Sequence, residues 1–149
     1  MKFTRIAAAA LVAGVLVASA TACSSDEAKA LPKAEWVKQA NAICTAGSKE
    51  TEKLAKDLNA TGGKPSQKAM NDYIQAAASN SVAEIGKIKK LGYPKGDAEK
   101  LDGALVVWEK ALAEMAKGPD NAAELSADAK VTAATATLKK YGITKCAGS

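Results

Sequence analysis

The chain has 149 residues, 21 Lys plus Arg against 16 Asp plus Glu, a net charge of +5 and no histidine. That length implies a single domain once any targeting segment is set aside. Without His, Ser-His and Cys-His catalysis and His-built zinc sites are excluded, and the mixed charge lacks the basic stripe with stacking aromatics of a nucleic-acid binder.

Lys2 and Arg5 precede an uncharged run of Ala, Val, Leu and Gly over residues 6–18, and Ala20-Thr21-Ala22 follows with small side chains. This is the plan of a secretory signal, so residues 1–22 are expected to be a removed signal peptide. The run is short for a membrane span, which needs about 20 apolar residues, and it gives way to polar Ser24-Ser25-Asp26-Glu27. The segment Ser19-Ala20-Thr21-Ala22-Cys23 resembles the lipobox of bacterial lipoproteins, with Ala20 where the commonest form has Leu. The resemblance implies that Cys23 becomes the first mature residue and carries lipid on its sulfur, on the outer face of the cell membrane. Ala20-x-Ala22 also suits ordinary signal peptidase, which would release a secreted protein with an N-terminal thiol. Residues 23–32 read as the lipidated N-terminus and a flexible tether. From Ser24 onward the chain has 19 Lys, no Arg and 16 acidic residues, a net +3.

The domain over residues 33–149 shows four helical segments, each with apolar residues at three- and four-residue steps. The first is expected over about 33–59, on the face Trp36, Ala40, Ile43, Gly47, Thr51, Leu54 and Leu58, and Pro32 suits its start. Thr61-Gly62-Gly63-Lys64-Pro65 breaks the chain. The second is expected over about 66–91, through Met70, Ile74, Ala77, Ser81, Ile85 and Ile88, ending at Gly92-Tyr93-Pro94. The third is expected from Asp97, an N-cap residue, to about 116, on Leu101, Leu105, Trp108, Leu112 and Met115. The fourth is expected over about 121–141, on Ala127, Val131, Ala134, Leu138 and Tyr141. Gly142 is its C-cap, and Ile143 packs back on Leu138.

Short connections between four helices predict an all-α fold, an antiparallel up-down bundle. Alanine supplies 26 of the 127 residues from Cys23 onward. It favours helix but fills little volume, so the core is expected to be thin and a staple useful. Three cysteines leave one over in an exported chain. If Cys23 carries lipid, Cys44 and Cys146 pair and none is left. The bundle sets the end of the fourth helix beside the first half of the first, within reach of Cys44. A closed loop of about 100 residues is worth up to roughly 4.7 kcal/mol. The pair lacks the Cys-x-x-Cys spacing of redox catalysts, so its expected role is structural.

The residues from Ser24 onward contain no Arg for a bidentate anion clamp, and Gly62-Gly63-Lys64 lacks the spacing of a phosphate loop. Asp97, Glu99, Asp102, Glu109, Glu114, Asp120, Glu124 and Asp128 fall mostly off the apolar faces, as solvated carboxylates do. Met70 and Met115 lie on the stripes as core residues. Trp36 and Trp108 lie there too, as core or as the wall of a ligand pocket. Lys87, Lys89, Lys90 and Lys95 surround the end of the second helix, and Lys139, Lys140 and Lys145 the end of the fourth, where they complement helix dipoles. In the expected bundle that end also holds the tether. Lys87, Lys89, Lys90, Lys139 and Lys140 are therefore candidates to face anionic head groups, with Lys29 and Lys33 nearby.

Trp36-x-x-x-Ala40-x-x-x-Cys44 and Tyr141-Gly142-Ile143-x-x-Cys146 resemble small exported helical proteins and lipoproteins of actinobacteria. That resemblance implies a helical bundle closed by one disulfide, Cys44 with Cys146, and carries over no catalytic residue. The expected function is a non-enzymatic cell-envelope lipoprotein, without metal or cofactor, that binds an envelope protein or small ligand and no nucleic acid. The alternative is a carrier of an apolar small molecule between Ala-rich helices near Trp36 and Trp108. A carboxylate-based hydrolase ranks last. A large enclosed apolar cavity would favour the carrier, and a conspicuous outer-loop patch over a solid core the interaction module.

Overall fold

The computed structural model describes residues 30–60, 62–118 and 122–146. The expected signal peptide, Cys23 and all but the last residues of the tether lie outside them, as does Asp120. The regular structure of the described residues is helical throughout, without strands: α1 Lys33–Asn59, α2 Gln67–Lys89, α3 Ala98–Lys117, α4 Ala122–Ala127 and α5 Ala129–Tyr141. None of these helices is long and apolar enough to cross a membrane.

α1 starts on Pro32, whose carbonyl accepts the Trp36 N–H at 2.9 Å. Its buried residues are Trp36, Ala40, Cys44 and Gly47. Cys44 takes the central place that the spacing had given to Ile43, which packs at the edge of the core. Beyond Gly47 the same face is only half-covered, at Thr51, Leu54 and Leu58. α2 begins at Ser66, whose Oγ accepts the Ala69 N–H at 3.2 Å. Its first turns bury nothing before Ala78, and Met70 is 37% exposed. The dense packing comes later, at Ile85 and Ile88.

Asp97 stands at the N-cap position of α3 but does not cap with its side chain. Its carboxylate accepts the Tyr141 hydroxyl at 2.6 Å instead, joining the start of α3 to the end of α5. The single fourth helix expected over 121–141 is two helices. Asp128 has extended backbone, with ψ 129°, and its Oδ1 accepts the N–H groups of Lys130 and Val131 at 2.7 and 3.2 Å. A side chain that caps a new helix start replaces the carbonyls of the preceding turn, so the ladder restarts there. The C-cap follows the expected form: Gly142 has φ 113°, and the Ile143 N–H closes on the Leu138 carbonyl at 3.0 Å.

α1 packs on α2, α2 on α3 and α3 on α5, with α4 resting against α5 and α3. The closure onto α1 is made by the turn after α5. Cys146 is disulfide-bonded to Cys44, with Cα atoms 5.0 Å apart. Asn41 adds three hydrogen bonds: its Nδ2 donates to Gly142 O at 2.8 Å, and its Oδ1 accepts from the Thr144 and Lys145 N–H groups at 3.1 and 3.0 Å. Trp36, Ile88, Leu101, Leu105, Leu138 and Ile143 have essentially no exposed surface. Each large side chain so buried contributes about 1.5–3 kcal/mol. The core is thus concentrated where the C-terminal turn meets the first half of α1.

Candidate functional site

Away from that dense end, the space between α2, α3, α4 and α5 is not filled. It forms a cavity of about 290 Å³, partly open to solvent. The volume is near the lower end of the range for small-molecule sites, about 300–1,000 Å³. Ile85, Ile88 and Leu105 form its floor, continuous with the core. α3 supplies Trp108, Ala111, Leu112 and Met115; α4 supplies Leu125 and Ser126; α5 supplies Val131 and Thr135. The Cys44–Cys146 disulfide is the wall on the α1 side. The cavity lies beside the break at Asp128, with α4 and α5 both in its wall, and Ala111, Ser81 and Ser126 present only small side chains to it.

Trp108 is fixed by its indole N–H, which donates to Thr135 Oγ1 at 2.8 Å, while that hydroxyl donates to the Val131 carbonyl at 2.8 Å. Glu84 is the one charged residue of the lining among the described residues. It reaches its place because residue 47 of α1 is glycine: a Cβ built there would overlap the Glu84 carboxyl group. Asn80 donates through Nδ2 to Glu84 Oε1 at 3.2 Å and to Gly47 O at 3.1 Å, linking α2 to α1 at that point. Burial pushes the Glu84 pKa above the usual carboxylate value, and Lys87 opposes the shift in part.

The structure separates the two tryptophans. Trp108 lines the cavity, whereas Trp36 lies in the core with no exposed surface. Its ring is 6.1 Å from Tyr93 and 5.7 Å, edge-on, from Tyr141. Its indole N–H finds no hydrogen-bond partner among the described residues. Around it the tyrosine hydroxyls are held by carboxylates, Tyr93 on Asp102 at 2.7 Å and Tyr141 on Asp97. Burial, then these bonds, pushes Tyr141 up to about 12 and Tyr93 further still. Met115 lines the cavity rather than filling the core.

Of the lysines expected at the basic end, Lys87, Lys90, Lys139 and Lys140 are exposed. Lys89 is engaged elsewhere: it pairs with Glu109 at 2.9 Å and lies 3.9 Å from Asp102. The Glu109 hydrogen bond, the largest cause, holds its pKa above the ordinary lysine value. Lys33 lies over the Tyr141 ring, 4.2 Å from its centroid. The described carboxylates singled out from sequence do not line the cavity, and Glu84, which does, was not among them. Its signal was faint: an acid next to Ile85, facing a glycine in a helix far away in sequence. Among the described residues no three His, Cys, Asp or Glu side chains converge as a metal site would require.

Fold and site together define a disulfide-closed, all-helical domain with an apolar cavity that carries one carboxylate. Compared with protein-family models, curated proteins and solved structures, the chain matches none.

Proposed function

We propose that this chain is an exported, lipid-anchored, non-enzymatic carrier whose helical domain holds a small, mainly apolar molecule. The observation that carries the reading is the cavity of about 290 Å³ walled by Trp108, Leu112, Met115, Leu125 and Val131. A lining of apolar side chains with a few placed polar groups is the usual composition of a small-molecule site. In the same reading the helices alternate up and down as an antiparallel four-rod bundle, with α4 and α5 together as the fourth rod. The joins of Trp36 to Tyr93 and of Asp97 to Tyr141, each linking a helix start to a helix end, support it. Cys23 carries the lipid, and exposed Lys87, Lys90, Lys139 and Lys140 rest on anionic head groups.

Pyrene, an apolar fluorophore without a head group, tests the carrier. It should bind the disulfide-intact protein, and Ala111→Phe, which fills the cavity from α3, should abolish binding. Ser126→Phe fills it from exposed α4 and covers the case in which the first variant misfolds. Pyrene that does not bind, or that binds both folded variants as well as the parent, would overturn the reading. Mass spectrometry of the protein extracted from its own membranes tests the anchor: diacylglycerol on Cys23 is expected, and an unlipidated Cys23 would refute it.

A further inference from the structure

The polar groups around the cavity share one property: their donors are already spent. Ser81 Oγ donates to the Ala77 carbonyl at 3.0 Å and Ser126 Oγ to the Ala123 carbonyl at 2.8 Å. Thr135 Oγ1 donates to Val131 O, and the Trp108 N–H is consumed by Thr135. What these groups still offer a ligand is lone pairs, since a hydroxyl that has donated its hydrogen retains only acceptor capacity. Glu84 adds two more acceptor atoms when ionised. Asn80 occupies one of them; the other, Oε2, accepts no hydrogen bond among the described residues. Neither Lys nor Arg is part of the described lining.

From this we infer that the cavity selects an amphiphile with an apolar body and a basic, hydrogen-bond-donating head, an alkyl or aryl amine, with Glu84 as the anchor of the ammonium group. The inference rests on the carrier reading and deepens it. An acidic amphiphile such as a fatty acid would bring its carboxylate into a site with one like charge and no donor, at a cost in both desolvation and repulsion. A neutral alcohol could donate one hydrogen bond but would add no positive charge to the partial compensation that Lys87 gives the half-buried carboxylate. An ammonium group supplies the charge and up to three donors, one of which suits Glu84 Oε2. Gly47 and Asn80 belong to the same device: the first makes room for the carboxyl group, and the second hydrogen-bonds one of its two oxygens. Glu84 thereby touches the ligand, while Asn80 is a positioning residue.

Competition against bound pyrene separates the head group from the cavity. Octylamine, octanol and octanoate present the same chain with three different heads. The expected order of displacement is octylamine, then octanol, with octanoate weakest. Glu84→Gln should weaken octylamine about tenfold relative to octanol and pyrene measured on the same variant, the size of one charge-assisted hydrogen bond. If pyrene binds and the three chains displace it equally, or octanoate does so best, the amine inference is overturned while the carrier stands. It is overturned in the same way if Glu84→Gln leaves octylamine unaffected. Absent pyrene binding, the carrier reading itself falls, and the head-group assignment with it.

Discussion

At residue 47 a single hydrogen atom decides where Glu84 can go. Glycine inside a helix costs about 1 kcal/mol relative to alanine, and α1 bears that cost at a buried position. The space so left holds the Glu84 carboxyl group against the backbone of α1, where burial raises its pKa. The linkage has a definite sign. An acid whose folded-state pKa lies above its unfolded value binds more protons when folded, so its contribution is complete below the ordinary value near 4.5 and is lost as pH rises through the folded value. Glutamine imitates the protonated form at every pH. Glu84→Gln should therefore gain stability relative to the parent as pH rises from 4.5, read as the difference in urea midpoint at each pH. A difference that stays constant would mean that the carboxyl group is solvated as in the unfolded chain.

The elements show which part of the architecture periodicity can carry. Spacing of apolar residues located α1, α2 and α3 to within a residue or two of their observed ends, because their buried faces repeat with the turn of the helix. The Gly142 cap was equally legible, since glycine followed by a buried apolar residue reports local geometry. The break at Asp128 was not. Ala127 and Val131 keep helical spacing across it, and spacing says nothing about whether the backbone ladder is continuous. Asn41 was invisible for another reason: its partners lie more than 100 residues away, and a pattern of apolar positions gives a polar side chain no weight. The cavity was legible only in part: of the two tryptophans named for a pocket wall, Trp108 lines it and Trp36 does not. If the Asp128 carboxylate caps α5, Asp128→Ala should cost about 1 kcal/mol in urea unfolding. An unchanged midpoint would show that water satisfies the Lys130 and Val131 N–H groups as well as the carboxylate does.

The whole molecule is built unevenly, and the disulfide lies at the boundary between its two parts. On one side is the dense core around Trp36, Leu138 and Ile143; on the other is the cavity, of which Cys44 and Cys146 form a wall. One covalent link therefore serves stability and site shape together. Its residues are 102 apart in sequence. For a loop of about that length, cross-linking stabilises by up to roughly 4.7 kcal/mol through the unfolded chain. Small domains have about 5–15 kcal/mol in all, so an alanine-rich core lies close to its limit without the link. When the bond is cut, Asn41 and the buried Ile143 still hold the turn after α5, but Cys146, only half-buried, is no longer fixed to α1. Reduction, or paired Cys44→Ser and Cys146→Ser replacement, should lower the urea midpoint by the equivalent of about 2–5 kcal/mol and weaken pyrene binding under conditions where the helices remain folded. A large loss of stability with pyrene affinity intact would confine the disulfide to the core and leave the cavity wall to Trp108 and α2. Loss of affinity in the still-folded protein would make the disulfide part of the binding site.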